Sequence, residues 1–228
     1  MSEGGRRVLV VVAKQYEVAA VCKETAGTGP ETAVGPYCAQ TALTAVAELA
    51  VVAGGVGPAA AAAATATMLA LRGPFDFVVS AGIGGVFPDR GVDLARIVVA
   101  DSIVAADLGL HHDEGFMSGE RMGWAPASFT PDPAFVEQAV AAGAAPGLTL
   151  SVSGMTGTDE RGRELASVYP TALAEAMEGA AVASTAIAWG VPFGEVRAIS
   201  NHVGRFDQST WTKQEALAAL SEFVAAVF

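Results

Sequence analysis

The sequence has only two cysteines and few basic residues, and each scarcity excludes a class of protein. Cys22 and Cys38 are too few for a disulfide scaffold, and no second pair or nearby histidine completes a zinc site. Thirteen Lys and Arg stand against 24 Asp and Glu, which gives a formal net charge of −11. The chain therefore lacks the positive field that nucleic acid or an anionic membrane surface requires. We expect a cytoplasmic protein with reduced thiols.

Long apolar runs are also missing. Residues 1–7 are polar and basic, and the apolar run that follows is interrupted by Lys14 and Glu17, unlike a signal peptide. The Ala-rich stretch 59–71 is shorter than the roughly 20 residues that span a bilayer, so we expect a buried helix. Hydrophobic residues make up 52% and charged residues 16%, which excludes disorder and suits a sheet covered by helices.

Short β-branched runs alternate with longer Ala-rich ones, and 228 residues suit a single domain. The pattern predicts one α/β domain over 1–228, with a central mixed twisted sheet flanked by helices. The expected strands are 8–12, 49–52, 75–80, 97–104, 148–152 and 193–200. The expected helices are 58–71, 133–142, 179–189 and 212–227. The segment 107–130 has weak periodicity, and we expect it to cap a pocket.

Polar residues follow several predicted strands, where open α/β sheets hold their ligands. Glu17 comes after the first strand, a glycine-rich loop at 80–85 follows the third, and Arg197 and Asn201 lie in the last. Each has an ordinary structural explanation, such as a connecting turn or an ion pair. Their occurrence together favours a ligand site.

Glu178 lies at the start of a predicted helix, among apolar neighbours. A carboxylate there could simply interact with the helix dipole. Buried among apolar residues, it would be costly without a partner. The position is therefore a further candidate for the site.

The run MEGAA at 177–181, followed by RAISN at 197–201, resembles the paired signature of the purine nucleoside phosphorylase and methylthioadenosine/S-adenosylhomocysteine nucleosidase superfamily. The resemblance extends from residue 8 to the carboxyl terminus, and it is strongest to the futalosine hydrolase family of menaquinone biosynthesis. It implies a nucleoside phosphorylase-like fold and hydrolysis of the N-glycosidic bond of futalosine, releasing hypoxanthine. It also implies no metal, no organic cofactor, and a homodimer or higher homo-oligomer in which 107–130 closes a partner's pocket.

The resemblance assigns catalytic roles to matching positions. Glu17 would polarise the attacking water, and Ser80 and Arg197 would help to hold it. Asn201 would address the leaving base.

The same resemblance implies the substrate contacts. Met177 and Glu178 would grip the ribosyl unit. The base would stack on Trp211, with Phe206 and Phe87 as alternatives. The benzoate of futalosine would meet Arg205, with Arg121 as the second choice. The remaining expected contacts are Gly82 and Ser200.

The sequence differs from the adenine-cleaving nucleosidases at two places that would contact the base. These enzymes have Asp where this chain has Asn201, and a neutral amide suits a 6-oxopurine because it can donate to N7 or O6 and accept from N–H. An amide cannot deliver a proton, so help to the leaving group would be hydrogen bonding. The segment 153–158 has small residues in place of the aromatic and aliphatic pair that sandwiches the base.

Other interpretations stay open. A phosphorylase needs arginines for phosphate, and the matching segments 12–17 and 80–82 contain none, although Lys14 could bind phosphate. A catalytically silent nucleoside-binding protein, or an enzyme acting on inosine, methylthioadenosine or aminofutalosine, is also compatible. The cluster His111, His112, Asp113 and Glu114 resembles a metal site. Adjacent side chains cannot converge on one ion, so we expect a solvated loop there.

Overall fold

The chain is built on one large mixed sheet with helices packed on both faces. The computed structural model describes residues 5–124 and 126–228. The strands are β1 (Arg6–Val12), β2 (Gly27–Val34), β3 (Tyr37–Leu43), β4 (Ala47–Ala53), β5 (Phe77–Val86), β6 (Ile97–Ala105), β7 (Gly109–His112), β8 (Gly115–Ser118), β9 (Ser128–Phe129), β10 (Ala145–Ser151), β11 (Ala172–Ala176) and β12 (Phe193–His202). The helices are α1 (Gln15–Lys23), α2 (Pro58–Arg72), α3 (Pro133–Ala141), α4 (Asp159–Val168), α5 (Gly179–Ala188) and α6 (Lys213–Val227).

The sheet folds back on itself at one end. Its order is β11-β10-β6-β12-β5-β1-β4-β3-β2, and β9 pairs with β6. Because β11 also pairs with β5, the strands β11, β10, β6, β12 and β5 form a closed ring. This closure brings the end of β11 beside the ends of β5 and β12.

Two hydrophobic cores lie on opposite faces of the sheet, and β1 shows how the sequence divides between them. Val8, Val10 and Val12 pack with α1, α3 and α6, whereas Leu9 and Val11 pack with α2 and α5. Successive side chains of a strand point to opposite faces, so a continuous apolar run serves both cores. Burial on both sides explains why the run has no polar alternation.

The predicted α/β class is confirmed, and so are the four predicted helices. The observed α2, α3, α5 and α6 differ from the expected bounds by about one residue at an end. Pro58 and Pro133 begin α2 and α3, where proline lacks only an amide that would have no helical partner.

The prediction of a loop at 80–85 is wrong. β5 continues through the glycines to Val86, paired with β12 on one side and β11 on the other. The sequence analysis also missed two helices and six strands, which are α1, α4, β2, β3, β7, β8, β9 and β11. The strands β2 and β3 form an antiparallel pair at the sheet edge, where short polar stretches give a weak periodic signal.

The segment 107–130 contains a β7–β8 hairpin followed by β9. His111 packs on Phe116, with ring centroids 5.0 Å apart. Ala125 of this segment and residues 1–4 of the polar amino-terminal stretch lie outside the described residues. Over 5–124 and 126–228, no cluster of three or more metal-ligating side chains is present. No helix in these same ranges is long and apolar enough to cross a bilayer.

Candidate active site

A cavity opens where β1, β5 and β12 end side by side. These strands run parallel to one another, so their carboxyl ends meet at one edge of the sheet. The closed ring adds the end of β11 to the same edge. The lining residues are Ala13, Lys14, Tyr16, Glu17, Val56, Ile83, Gly84, Gly85, Met155, Thr156, Glu175, Ala176, Met177, Glu178, Ser200, Asn201, Val203 and Trp211.

Glu17 is held in the cavity wall by backbone amides. It lies in the first turn of α1 and is only 2% exposed. Its Oε2 accepts hydrogen bonds from the amides of Ala13 (3.0 Å) and Lys14 (2.8 Å), and its Oε1 accepts from the amide of Ile83 (3.0 Å). A carboxylate has about four acceptor sites, so one remains available to a water molecule.

The pKa of Glu17 is raised above its ordinary value. Burial is the main cause, and the backbone hydrogen bonds from Ile83 and Lys14 and the charge of Arg197 oppose it in part. A raised pKa makes the carboxylate a better proton acceptor than an exposed one. Glu17 therefore has the character of a general base.

Gly82 leaves the space that Glu17 occupies. Its φ is +153°, which L side chains rarely adopt. A Cβ at this position would lie 2.7 Å from Glu17 Oε1 and 3.1 Å from an Arg197 guanidinium nitrogen. Only glycine allows the strand to pass this close to both charged groups.

Glu178 is a second, differently supported carboxylate. It occupies the N-cap position of α5 without a side-chain capping hydrogen bond, and its Oε1 accepts from the Gly57 amide at 3.0 Å. Its Oε2 accepts from the Met177 amide at 3.3 Å and forms an ion pair with Arg197 at 3.2 Å. These contacts fix the carboxylate beside Met177 and leave about one acceptor site for a substrate hydroxyl.

Arg197 and Ser80 lie behind the cavity and are not part of its lining. Arg197 is 1% exposed and donates to Ser80 Oγ at 2.6 Å and to Glu195 at 2.8 Å. Although burial opposes its charge, Glu195 and Glu178 raise the pKa of Arg197, so it stays cationic. The predicted water-holding role of Ser80 and Arg197 stays a prediction. In the structure, Arg197 pairs with Glu178 and lies close to Glu17, and Ser80 accepts a hydrogen bond from Arg197.

Asn201 presents a fixed amide to the cavity. Ser200 donates to Asn201 Oδ1 at 2.8 Å, and Asn201 Nδ2 donates to the His202 carbonyl at 3.0 Å. These two contacts set which end of the amide is the donor. The second N–H of Nδ2 remains free for a ligand acceptor.

Glu175 is a cavity residue to which the sequence analysis gave no role. Its Oε1 accepts from the Thr156 amide at 2.9 Å and its Oε2 from the Thr156 hydroxyl at 2.6 Å. Burial raises the pKa of Glu175, against these two hydrogen bonds. An acidic residue inside a short apolar strand was the signal that could have identified it.

Of the three aromatic candidates for stacking on a base, Trp211 lines the cavity and Phe87 does not. Trp211 lines the cavity and meets Phe206 edge-on, at 5.9 Å between ring centroids. Phe87 is a wrong candidate, because it is buried in another core with Leu150 and Leu165. The segment 153–158 is not uniformly small, since Met155 contributes an apolar wall.

The two candidates for the benzoate contact lie outside the cavity lining. Arg205 is exposed, and its amide donates to Asp159 at 2.8 Å. It lies in the loop between the lining residues Val203 and Trp211. Arg121 is exposed in the turn that follows β8. Both assignments stay predictions.

The chain matches the family model described as "Phosphorylase superfamily" over residues 7–228. It is 48% identical to a futalosine hydrolase of Streptomyces coelicolor, over 75% of each chain. It is 35% identical to a futalosine hydrolase of Thermus thermophilus, over 75% of this chain and 76% of that one.

Solved structures show the same fold. The native structure of futalosine hydrolase from Helicobacter pylori superposes with a TM-score of 0.84 over 97% of each chain, at 18% identity. The superposition supports the architecture, and the closer sequence relatives identify the branch. The chain belongs to the phosphorylase superfamily and, within it, to the futalosine hydrolase family.

Proposed function

We propose that this chain hydrolyses the N-glycosidic bond of futalosine and releases hypoxanthine and dehypoxanthine futalosine. The relatedness to futalosine hydrolases over three quarters of the chain supports the reaction and the substrate. The observation that carries the chemistry is the pair of buried carboxylates, Glu17 and Glu178, in one cavity with Asn201.

In the proposed mechanism, Glu17 accepts a proton from water as its oxygen attacks the anomeric carbon. The bond from that carbon to the base nitrogen breaks, and its electron pair moves onto the base. Asn201 donates a hydrogen bond to the charge that develops there. Protonation of the released base by solvent completes the balance, because the amide has no acidic proton to transfer.

Glu178 acts on the sugar in this scheme. Breaking the glycosidic bond develops positive charge on the ribosyl ring, as in other glycoside hydrolyses. A carboxylate beside the ring stabilises that charge and accepts a hydrogen bond from a sugar hydroxyl. Arg197 and Gly57 hold Glu178 in place from behind.

The charges of the cavity favour water over phosphate as the nucleophile. Three carboxylates, Glu17, Glu175 and Glu178, face one ammonium group, that of Lys14. Arg197 is occupied by Glu195, Glu178 and Ser80. A phosphate dianion would meet repulsion, and none of the described residues that line the cavity is an arginine that could bind it.

The test is a panel of futalosine, aminofutalosine, inosine and methylthioadenosine, each with and without phosphate. Free base is measured by chromatography. We expect hypoxanthine from futalosine at the highest kcat/KM and no acceleration by phosphate. Base release that depends on phosphate would identify a phosphorylase instead, and binding without release would identify a silent nucleoside-binding protein.

We further propose a homodimer or higher homo-oligomer in a reducing cytoplasm. Leu108, Leu110 and Trp124 expose apolar surface on and near the β7–β8 hairpin. Cys22 and Cys38 are both free thiols. Sedimentation equilibrium of the wild type and of Leu110→Asp tests the assembly. We expect the substitution to shift the mass toward the monomer.

A further inference from the structure

We call the part of the cavity beside Asn201 its base end. Its floor is formed by backbone that carries no side chain. Gly84 and Gly85 lie at the end of β5 and line the cavity. A Cβ on Gly85 would lie 3.1 Å from Asn201 Nδ2 and 3.1 Å from Val203. Because glycine has no side chain, Asn201 and Val203 lie directly against the strand, and the backbone of Gly85 itself borders the cavity beside them.

Asn201 and Glu175 flank this floor on opposite sides. In the sheet, Asn201 is the register partner of Gly85 from β12, and Glu175 is its partner from β11. Directly opposed residues project their side chains to the same face. With strands about 4.8 Å apart, the Asn201 and Glu175 Cα atoms are about 10 Å apart, with Gly85 between them.

The carboxylate of Glu175 keeps acceptor capacity for a ligand. Its two hydrogen bonds, both from Thr156, use about two of its four acceptor sites. It is 5% exposed, and no Lys or Arg of residues 5–124 and 126–228 forms an ion pair with it. The charge of Arg161, which lies beyond ion-pair distance, lowers the pKa of Glu175 by less than burial raises it. A further donor would therefore stabilise this buried carboxylate.

We propose that Glu175 is a specificity-determining residue that accepts the N1–H of a 6-oxopurine lying on Gly85, while Asn201 donates to O6 or N7. The inference rests on the proposed function, and it adds the residue that reads the ring N–H. In a 6-oxopurine, O6 lies between N1–H and N7, so groups on either side of the ring contact one continuous edge. A 6-aminopurine presents an unprotonated N1, whose lone pair the carboxylate repels.

A structural role alone would have a different consequence. Glu175 also tethers the 153–158 segment through Thr156, and loss of that tether would weaken every ligand to a similar degree. Loss of an N1–H acceptor weakens only ligands that carry the N1–H. The ratio of affinities for two bases separates the two roles.

The experiment measures binding of the free bases hypoxanthine and 1-methylhypoxanthine by calorimetry. The proteins are the wild type, Glu175→Gln, Glu175→Ala and the control Glu160→Gln. Glu160 is an exposed carboxylate on α4, so the control makes the same change in net charge away from the cavity. Hydrolysis of futalosine by the wild type is measured separately.

We expect the wild type and Glu160→Gln to prefer hypoxanthine by roughly tenfold or more, the size of one hydrogen bond to a charged group. In Glu175→Ala, hypoxanthine binding should weaken and the ratio should fall toward one. In Glu175→Gln, whose amide oxygen still accepts but carries no charge, the ratio should fall part of the way. An unchanged ratio in both Glu175 variants, or equal binding of the two bases by the wild type, overturns the inference. The futalosine assay decides the proposed function independently, since base binding needs no turnover.

Discussion

At the residue scale, the three cavity carboxylates differ in the groups that support them. Glu17 accepts hydrogen bonds from backbone amides, Glu178 is paired with Arg197, and Glu175 accepts two hydrogen bonds from Thr156. Environment decides which acid accepts a proton and which stays ionised. The raised pKa of Glu17 and the ion pair of Glu178 suit a base and a charge stabiliser, respectively.

Glu17→Gln should abolish hydrolysis while nucleoside binding stays within about tenfold. The amide cannot accept the proton of the attacking water, although it keeps the shape of the side chain. The measurements are single-turnover rates and binding of futalosine to the inactive variant. Near-normal turnover would remove Glu17 from the mechanism.

The pH profile provides the control for this assignment. The base must be deprotonated, so wild-type kcat/KM should fall as pH drops through the pKa of Glu17, which lies above the ordinary 4.5. The pKa of Glu175 is also raised. If Glu17 causes the fall of kcat/KM at low pH, the Glu175→Gln variant should still show that fall.

Asn201→Asp should narrow or invert the preference between futalosine and aminofutalosine. Because Ser200 and the His202 carbonyl fix the Asn201 amide, its N–H meets O6 favourably and a 6-amino group unfavourably. A matched buried hydrogen bond is worth about 1–3 kcal/mol, so the wild type should prefer the 6-oxo substrate by roughly one to two orders of magnitude. Base release from both substrates at several pH values measures the ratio, and an unchanged ratio would show that Asn201 does not read the 6-position.

At the scale of elements, the end of β5 provides backbone surface. Gly82 makes room for Glu17, and Gly84 and Gly85 form the floor of the base end. Glycine weakens a strand because it has no side chain to pack. Pairing on both sides, with β12 and β11, keeps this stretch extended.

Gly82→Ala should reduce kcat/KM by at least about tenfold and lower stability by about 1–3 kcal/mol, since the backbone conformation is unfavourable for alanine and the Cβ displaces Glu17. Kinetics with futalosine and urea denaturation measure the two effects. Gly27→Ala is the matched control, because a Cβ there has no heavy atom within 4 Å. Equal behaviour of the two variants would contradict the packing role of Gly82.

At the scale of the whole molecule, the buried carboxylates of the site lower the free energy of unfolding. Burial raises the pKa values of Glu17, Glu175 and Glu195. The net charge of −11 adds repulsion among the acidic groups. Both effects make the folded state bind more protons than the unfolded state above pH 4.5, so stability is lost as pH rises through the raised pKa values.

The Tm should therefore fall as pH rises from about 5 to about 8. Glu175→Gln keeps hydrogen-bonding atoms for Thr156 and removes a buried charge. It should raise the Tm near pH 8 by about 2–4 °C, for relief on the order of 1 kcal/mol, and by less near pH 5. Differential scanning calorimetry at both pH values measures this, and an equal shift at both would contradict the linkage.

Local sequence patterns determined much of the fold. Four helices are marked by their proline starts or their Ala-rich periodicity, and the strand cores are marked by β-branched runs. The MEGAA and RAISN runs indicate the family, and the resemblance predicts that Glu178 and Asn201 lie at a common site. Helix starts, strand cores and short motifs involve residues that are close together in the chain, so they can be recognised from the sequence without knowledge of the tertiary structure.

Only the tertiary structure decided that residues 80–85 continue a strand and that Glu175 faces the cavity. Glycines favour turns in isolation, and the two neighbouring strands that hold this stretch extended are distant in sequence. Glu175 reaches the base end because β11 pairs with both β10 and β5 and closes the ring. The burial of Arg197 behind Glu178 likewise depends on Glu195, Ser80 and α5 meeting at one point. Such contacts form between segments that are distant in sequence. Their stability comes from packing of the whole fold, which no local sequence pattern reveals.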